Sequence, residues 1–107
     1  MEIPVDFLIR AGRVETIERL REHAARKLSV VLRPFRDQVG HITLRLVDVN
    51  GPRRGVDSRC AISAELINGQ QLFVEATEPW PVAAIGRAAS RLGGAVRRVH
   101  RRRCRVT

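Results

Sequence analysis

Tyrosine is absent from this chain, tryptophan occurs once and phenylalanine three times, so aromatics make up only 4% of 107 residues. A core must therefore be aliphatic, and a hydrophobic content of 44% supplies one while excluding a disordered chain. No apolar run approaches the roughly 20 residues of a membrane span. Residues 1–10 carry Glu2 and Asp6 and lack the basic start and apolar stretch of a signal peptide, so the expected location is the cytoplasm, with no membrane partner. Cysteine occurs twice, at Cys60 and Cys104, without metal-ligand spacing; free thiols are expected, Cys60 in the core and Cys104 incidental. His23, His41 and His100 are the three histidines, and no nucleophile–base arrangement or phosphate-binding glycine loop accompanies them. An enzyme is not expected: no catalytic residue, metal site, cofactor or small-molecule substrate is assigned.

The most telling absence is of acids. All 11 aspartates and glutamates lie before residue 80, against 20 lysines and arginines in the whole chain. Residues 80–107 contain arginines and no carboxylate side chain, so nearly all of the formal net charge of +9 sits in the last quarter. Such asymmetry points to a polyanionic partner.

Periodicity divides the chain into six elements, consistent with one domain. Ile3, Val5, Phe7 and Ile9 alternate as a strand. After a turn at 11–13, Ile17, Leu20, Ala24, Leu28 and Val31 recur at helical spacing from about Val14 to Arg33, where Pro34 ends the helix. Ile42, Leu44 and Leu46 mark the inward face of a second strand, followed by a polar loop over Asn50–Gly55. Cys60, Ile62, Ala64 and Leu66 mark a third strand; Asn68-Gly69 signals a hairpin into a fourth with Leu72, Val74 and Ala76 inward. Phe73 and Trp80 are expected to pack at a sheet edge or helix junction. Pro81 suits the first turn of a last helix with Val82, Ile85, Ala89, Leu92, Val96 and Val99 on one face. The order β-α-β-β-β-α predicts an α+β fold: a four-stranded sheet with both helices on one face and the other face wet, similar to the double-stranded RNA-binding domain.

On a helical wheel Arg87, Arg91, Arg98 and Arg102 fall opposite the apolar stripe, within about 60° of each other. Arg101 extends the row and Arg97 flanks it. Arg103 would point coreward, so the helix is expected to leave the core or fray there: residues 1–102 form the domain and 103–107 a short basic tail. Guanidinium groups one turn apart can grip successive phosphates. Gly93-Gly94 interrupts this helix, either to allow close approach to RNA or as a tolerated weak spot.

The whole chain resembles the short-form ribosome hibernation promoting factor and ribosome-associated inhibitor A family, also called sigma-54 modulation protein. The resemblance rests on the element order, on "LREHAARKLSVVLRPF" for the first helix, on "NGQQLFVEA" for a hairpin, and on "VAAIGRAASRLGGAVRRVHRR" for the last helix, anchored at Ala84-Ile85 and Arg91-Leu92. Trp80, Pro81 and Val82 stand where the family has Asp-Met-Tyr, and Gly86 replaces an acid or amide. The resemblance implies a stress-response factor. It would bind small-subunit rRNA between head and body as a monomer, block the mRNA and tRNA channel and inhibit translation. Residue by residue it implies RNA-facing roles for Arg26, Lys27, Arg91, Arg98 and Arg102; the wheel adds Arg87 and Arg101. The alternative is a general double-stranded RNA-binding module, read by shape. Against that module stand the extra first strand and the lack of its Lys-Lys signature at the second helix.

Overall fold

A computed structural model describes residues 3–10, 14–50 and 56–105. The turn expected at 11–13 and most of the loop after Asn50 lie outside the described residues. The elements follow the expected order: β1 (Val5–Arg10), α1 (Val14–Leu32), a 3-10 segment (Arg33–Gln38), β2 (Val39–Asn50), β3 (Val56–Leu66), β4 (Gln71–Glu78) and α2 (Pro81–Arg105). Strand order in the sheet is β1-β2-β3-β4. β1 runs parallel to β2, with Phe7 opposite Leu44, and the other two pairings are antiparallel. A parallel pair needs a crossover, which α1 provides.

Alternation along the strands sorts side chains into two faces. Ile42, Leu44, Leu46, Cys60, Ile62, Ala64 and Ala76 are buried beneath Leu20, Ala24, Leu28 and Leu32 of α1 and Ile85, Ala89, Leu92 and Val96 of α2. Each fully buried Leu or Ile contributes about 1.5–3 kcal/mol. Ala84, Ala88 and Ala89 are all fully buried, so α2 presents a small-residue face to the sheet. At the sheet margins Leu72 and Val74 are only half-buried, as is Ile17 on α1. Both helices therefore lie on one face, as the sequence predicts; Thr43, Arg45, Arg59, Ser63 and Phe73 line the open face.

The turn chemistry follows the sequence closely. Gly69 adopts φ 89°, a left-handed conformation that suits glycine. Its N–H donates to the Leu66 carbonyl at 2.9 Å, and the Asn68 side chain accepts from the Gln70 N–H. At the start of α2 the Ala84 N–H donates to the Trp80 carbonyl at 3.0 Å, with Pro81 in the first turn where its missing donor costs nothing.

Several details differ from expectation. α1 stops at Leu32, next to the expected end, but the chain goes straight on into the 3-10 segment with Pro34 in its first turn, and Phe35 enters the core from there. α2 keeps helical backbone through Arg105, past the fraying expected at Arg103. Part of the reason is His100, which in the sequence reads as part of the basic end and in the fold is half-buried. Its ring lies 5.5 Å from that of Phe35, and its Nδ1 accepts from Gln38 Nε2 at 2.7 Å, so the last turns of α2 dock on the 3-10 segment. Phe73 and Trp80 do not pack: they are 63% and 72% exposed.

Candidate nucleic-acid interface

The apolar face that fixes α2 on the sheet also fixes where its arginines go. With Ile85, Ala89, Leu92 and Val96 fully buried, Arg87, Arg91, Arg98 and Arg102 are all left exposed on one flank. That flank overhangs β4, the edge strand. Arg87 pairs with the Glu78 carboxylate, and Arg91 donates to the main-chain carbonyl of Glu75. The absence of acids within α2 is thus offset at its first two arginines by β4. Farther along, none of Arg97, Arg98, Arg101 and Arg102 forms an ion pair among the described residues. These four cationic side chains sit in the last turns of the helix, where the macrodipole favours positive charge. Sequence reasoning missed the latching by β4; the signal available was Glu78 on the strand that leads into α2, since Arg91 meets only the main chain of Glu75, whose carboxylate pairs with Arg59.

Gly93 settles the orientation of the two helices. A Cβ there would lie 3.2 Å from Val31 Cβ and 3.4 Å from the Val31 carbonyl oxygen. This glycine therefore allows α1 and α2 to cross closely, and its role is not approach to RNA. Gly94 faces the other way, with only the Arg98 guanidinium near a built Cβ, at 3.6 Å. On the helical wheel the Arg87–Arg102 row lies about 150° from Gly93, so it faces away from α1.

Arg26 and Lys27 consequently do not join that row. Arg26 is exposed on the side of α1 away from the sheet. Lys27 is half-buried one turn before Val31, on the flank that meets α2. Arg101 points outward from the helix layer and is exposed, with Arg97 on the side toward α1. The seven residues expected to face RNA do not form one cluster: Arg87, Arg91, Arg98 and Arg102 share one flank of α2 with Arg101 extending it outward, Arg26 is exposed on the outer side of α1, and Lys27 is half-buried on the flank of α1 that meets α2.

The remaining candidates show no reactive arrangement among the described residues. His41 sits on the open sheet face and its Nε2 lies 3.1 Å from Asp6 Oδ2. Cys60 is a free, fully buried cysteine whose thiol is pushed up to about 12 by desolvation, which keeps it protonated and inert. The Cys104 side chain lies outside the described residues. No cluster of His, Cys, Asp or Glu that could hold a metal occurs among the described residues, and no described helix is long and apolar enough to cross a membrane.

A mixed four-stranded sheet, two helices on one face and a single-sign arginine flank define a small basic α+β sandwich domain. The chain belongs to the family described as Sigma 54 modulation protein / S30EA ribosomal protein, whose model matches residues 8–104. This is a ribosome-associated modulation family, as the sequence resemblance implies. Among solved structures the chain is similar to the Protein Y N-terminal domain of Thermus thermophilus, at 25% identity and a TM-score of 0.63, covering 92% of this chain and 99% of that one. It is also similar in fold to a ribosomal subunit interface protein from Coxiella burnetii, at 13% identity and a TM-score of 0.73, covering 92% and 98%. No curated protein matches the sequence.

Proposed function

We propose that this protein is a cytoplasmic hibernation factor that binds rRNA of the small ribosomal subunit, one copy per subunit, and blocks the mRNA and tRNA channel under stress. The observation that carries the reading is the α2 flank. Arg87, Arg91, Arg98 and Arg102 are exposed together, with no acid on their own helix, in a chain of a ribosome-associated family. Guanidinium groups bind phosphate bidentately and stay charged at every physiological pH. Arg98 and Arg102 can take up phosphates directly. Arg87 and Arg91 first exchange Glu78 and the Glu75 carbonyl for RNA, a modest cost because an exposed ion pair is worth about 0–1 kcal/mol. Arg26 and Arg101 supply further contacts from the outer surface of the helix layer, and the half-buried Lys27 adds one where its ammonium reaches solvent.

The double variant Arg91→Glu plus Arg98→Glu tests this. Both side chains are exposed, so circular dichroism should show an intact fold, while co-sedimentation with purified small subunits should be lost. Retention of subunit binding by a folded double variant would refute the assignment. Equal affinity of the wild-type chain for bare duplex RNA and for intact subunits would favour the general RNA-binding module instead.

A further inference from the structure

The two edges of the sheet are finished differently. At the β4 edge, Arg91 reaches down from α2 and occupies the Glu75 carbonyl, and Arg87 binds Glu78 beside it. That edge is blunted against another strand. At the β1 edge no side chain among the described residues occupies a main-chain group; Arg21, a cation of α1, lies over the Phe7 ring at 5.9 Å on the covered face. The Ile42 N–H donates to the Pro4 carbonyl, so strand alternation turns the main-chain groups of residues 4, 6, 8 and 10 toward β2. Those of Val5, Phe7 and Ile9 face outward. Beside this edge a mainly apolar groove runs between β1 and α1, lined by Ile3, Val5, Phe7, Leu28 and Leu32 together with Ser29 and Arg36.

We propose that β1 is a self-association edge: two copies of this chain pair antiparallel over Asp6–Arg10, joining their four-stranded sheets into one. The sign pattern selects both the occupant and the register. On the open sheet face β1 presents Asp6, Leu8 and Arg10, all exposed, with Leu8 47% so. Antiparallel pairing centred on Leu8 sets Asp6 of each copy against Arg10 of the other, and Leu8 against Leu8. These are the non-hydrogen-bonded positions, where side chains approach most closely. The outward-facing main chain of Phe7 then pairs with Ile9 of the second copy, so the ladder parity is satisfied. A register shifted by one residue would oppose main-chain groups that face β2 to groups that face outward. Shifts by two would set a charge against Leu8, and larger ones Asp6 against Asp6 or Arg10 against Arg10. On the covered face, half-buried Phe7 and Ile9 meet their counterparts, and the second copy closes the groove beside α1. Asp6 already meets His41 through Oδ2, which leaves Oδ1 for the incoming arginine. The arginine flank of α2 overhangs the opposite sheet edge and stays accessible in the pair, so each copy can still engage a subunit of its own, and the free protein is a pair rather than the monomer the sequence resemblance implies.

Sedimentation equilibrium of the full chain over a concentration series reads the association, with circular dichroism as the folding control. Asp6→Arg and Arg10→Asp each turn two cross-strand attractions into two repulsions, and each should weaken self-association by about tenfold or more. Mixing the two single variants should restore dimers, because opposite signs then face each other in both pairs. The double variant Asp6→Arg plus Arg10→Asp should dimerise like the wild type. A wild-type chain that stays monomeric throughout overturns the proposal and leaves the edge to a strand of another protein. Dimers that ignore the charge changes, or that the mixture fails to restore, overturn it equally.

Discussion

A methyl group added at Gly93 would lie 3.2 Å from Val31 Cβ and 3.4 Å from its carbonyl oxygen, whereas at Gly94 it would meet only the flexible end of Arg98. Two adjacent glycines in one helix should therefore respond oppositely to substitution. Gly93→Val forces α1 and α2 apart and is expected to destabilise the fold by about 1–3 kcal/mol. Gly94→Ala removes backbone entropy from the unfolded chain without a clash and should stabilise by about 0.5–1 kcal/mol. Urea denaturation midpoints of the two variants read the difference. Cys60 gives a second prediction at this scale. Its thiol ordinarily ionises near 9.0 and in the fold near about 12, so between these values the folded chain holds a proton that the unfolded chain has lost. Stability falls as pH rises through that window, by at most about 1.4 kcal/mol per pH unit. Replacing Cys60 with Ala should flatten the decline, measured by urea unfolding at pH values from 8 to about 10.5. A slope unchanged by the substitution would mean that the thiol does not control it.

At the scale of elements, order, type and most boundaries are legible because periodicity and punctuation agree. Period-two alternation marks β2 and β3, Asn68-Gly69 marks the hairpin, and Pro81 marks the start of α2. What is not legible depends on distant contacts. The wheel places Arg87 and Arg91 on the solvent flank, yet only the sheet topology brings β4 alongside them. Gly93 reads the same from the sequence whether it meets RNA or a neighbouring helix. His100 looks like part of a basic run because its partners, Phe35 and Gln38, belong to a segment whose 3-10 geometry the sequence does not announce. That contact makes the end of α2 testable as an element. His100→Ala removes a ring contact and a hydrogen bond, and should cost about 1–2 kcal/mol. Hydrogen exchange should then accelerate in residues 97–105 while residues 84–92 stay protected.

Over the whole molecule, charge is segregated. The β4 side carries the arginine flank of α2, and β1 at the far edge carries one acid and one arginine on its exposed face. A net charge of +9 with this polarity orients the chain toward a polyanion before contact. If binding rests on phosphates, affinity should fall steeply with salt, because each contact releases counterions. About five contacts at roughly 0.7–0.9 each give a log–log slope near −4. Titrating small-subunit binding from low to moderate salt measures that slope, and Arg98→Ala should reduce it by about one contact's worth. Affinity indifferent to salt would exclude phosphate contacts as its source.

The parallel pairing of β1 with β2 bears on how the chain reaches this fold. β2, β3 and β4 are joined by short connections and can zip up as a meander, but Val5 meets Ile42 only after the whole of α1 has been threaded across the sheet. Closing that long loop is paid for before its contacts form, so β1 belongs to the late stages of folding. Until it docks, β2 is itself an unpaired margin that carries Ile42, Leu44 and Leu46. The interval between meander and finished sheet is then when the young chain is most exposed to misassembly with its neighbours.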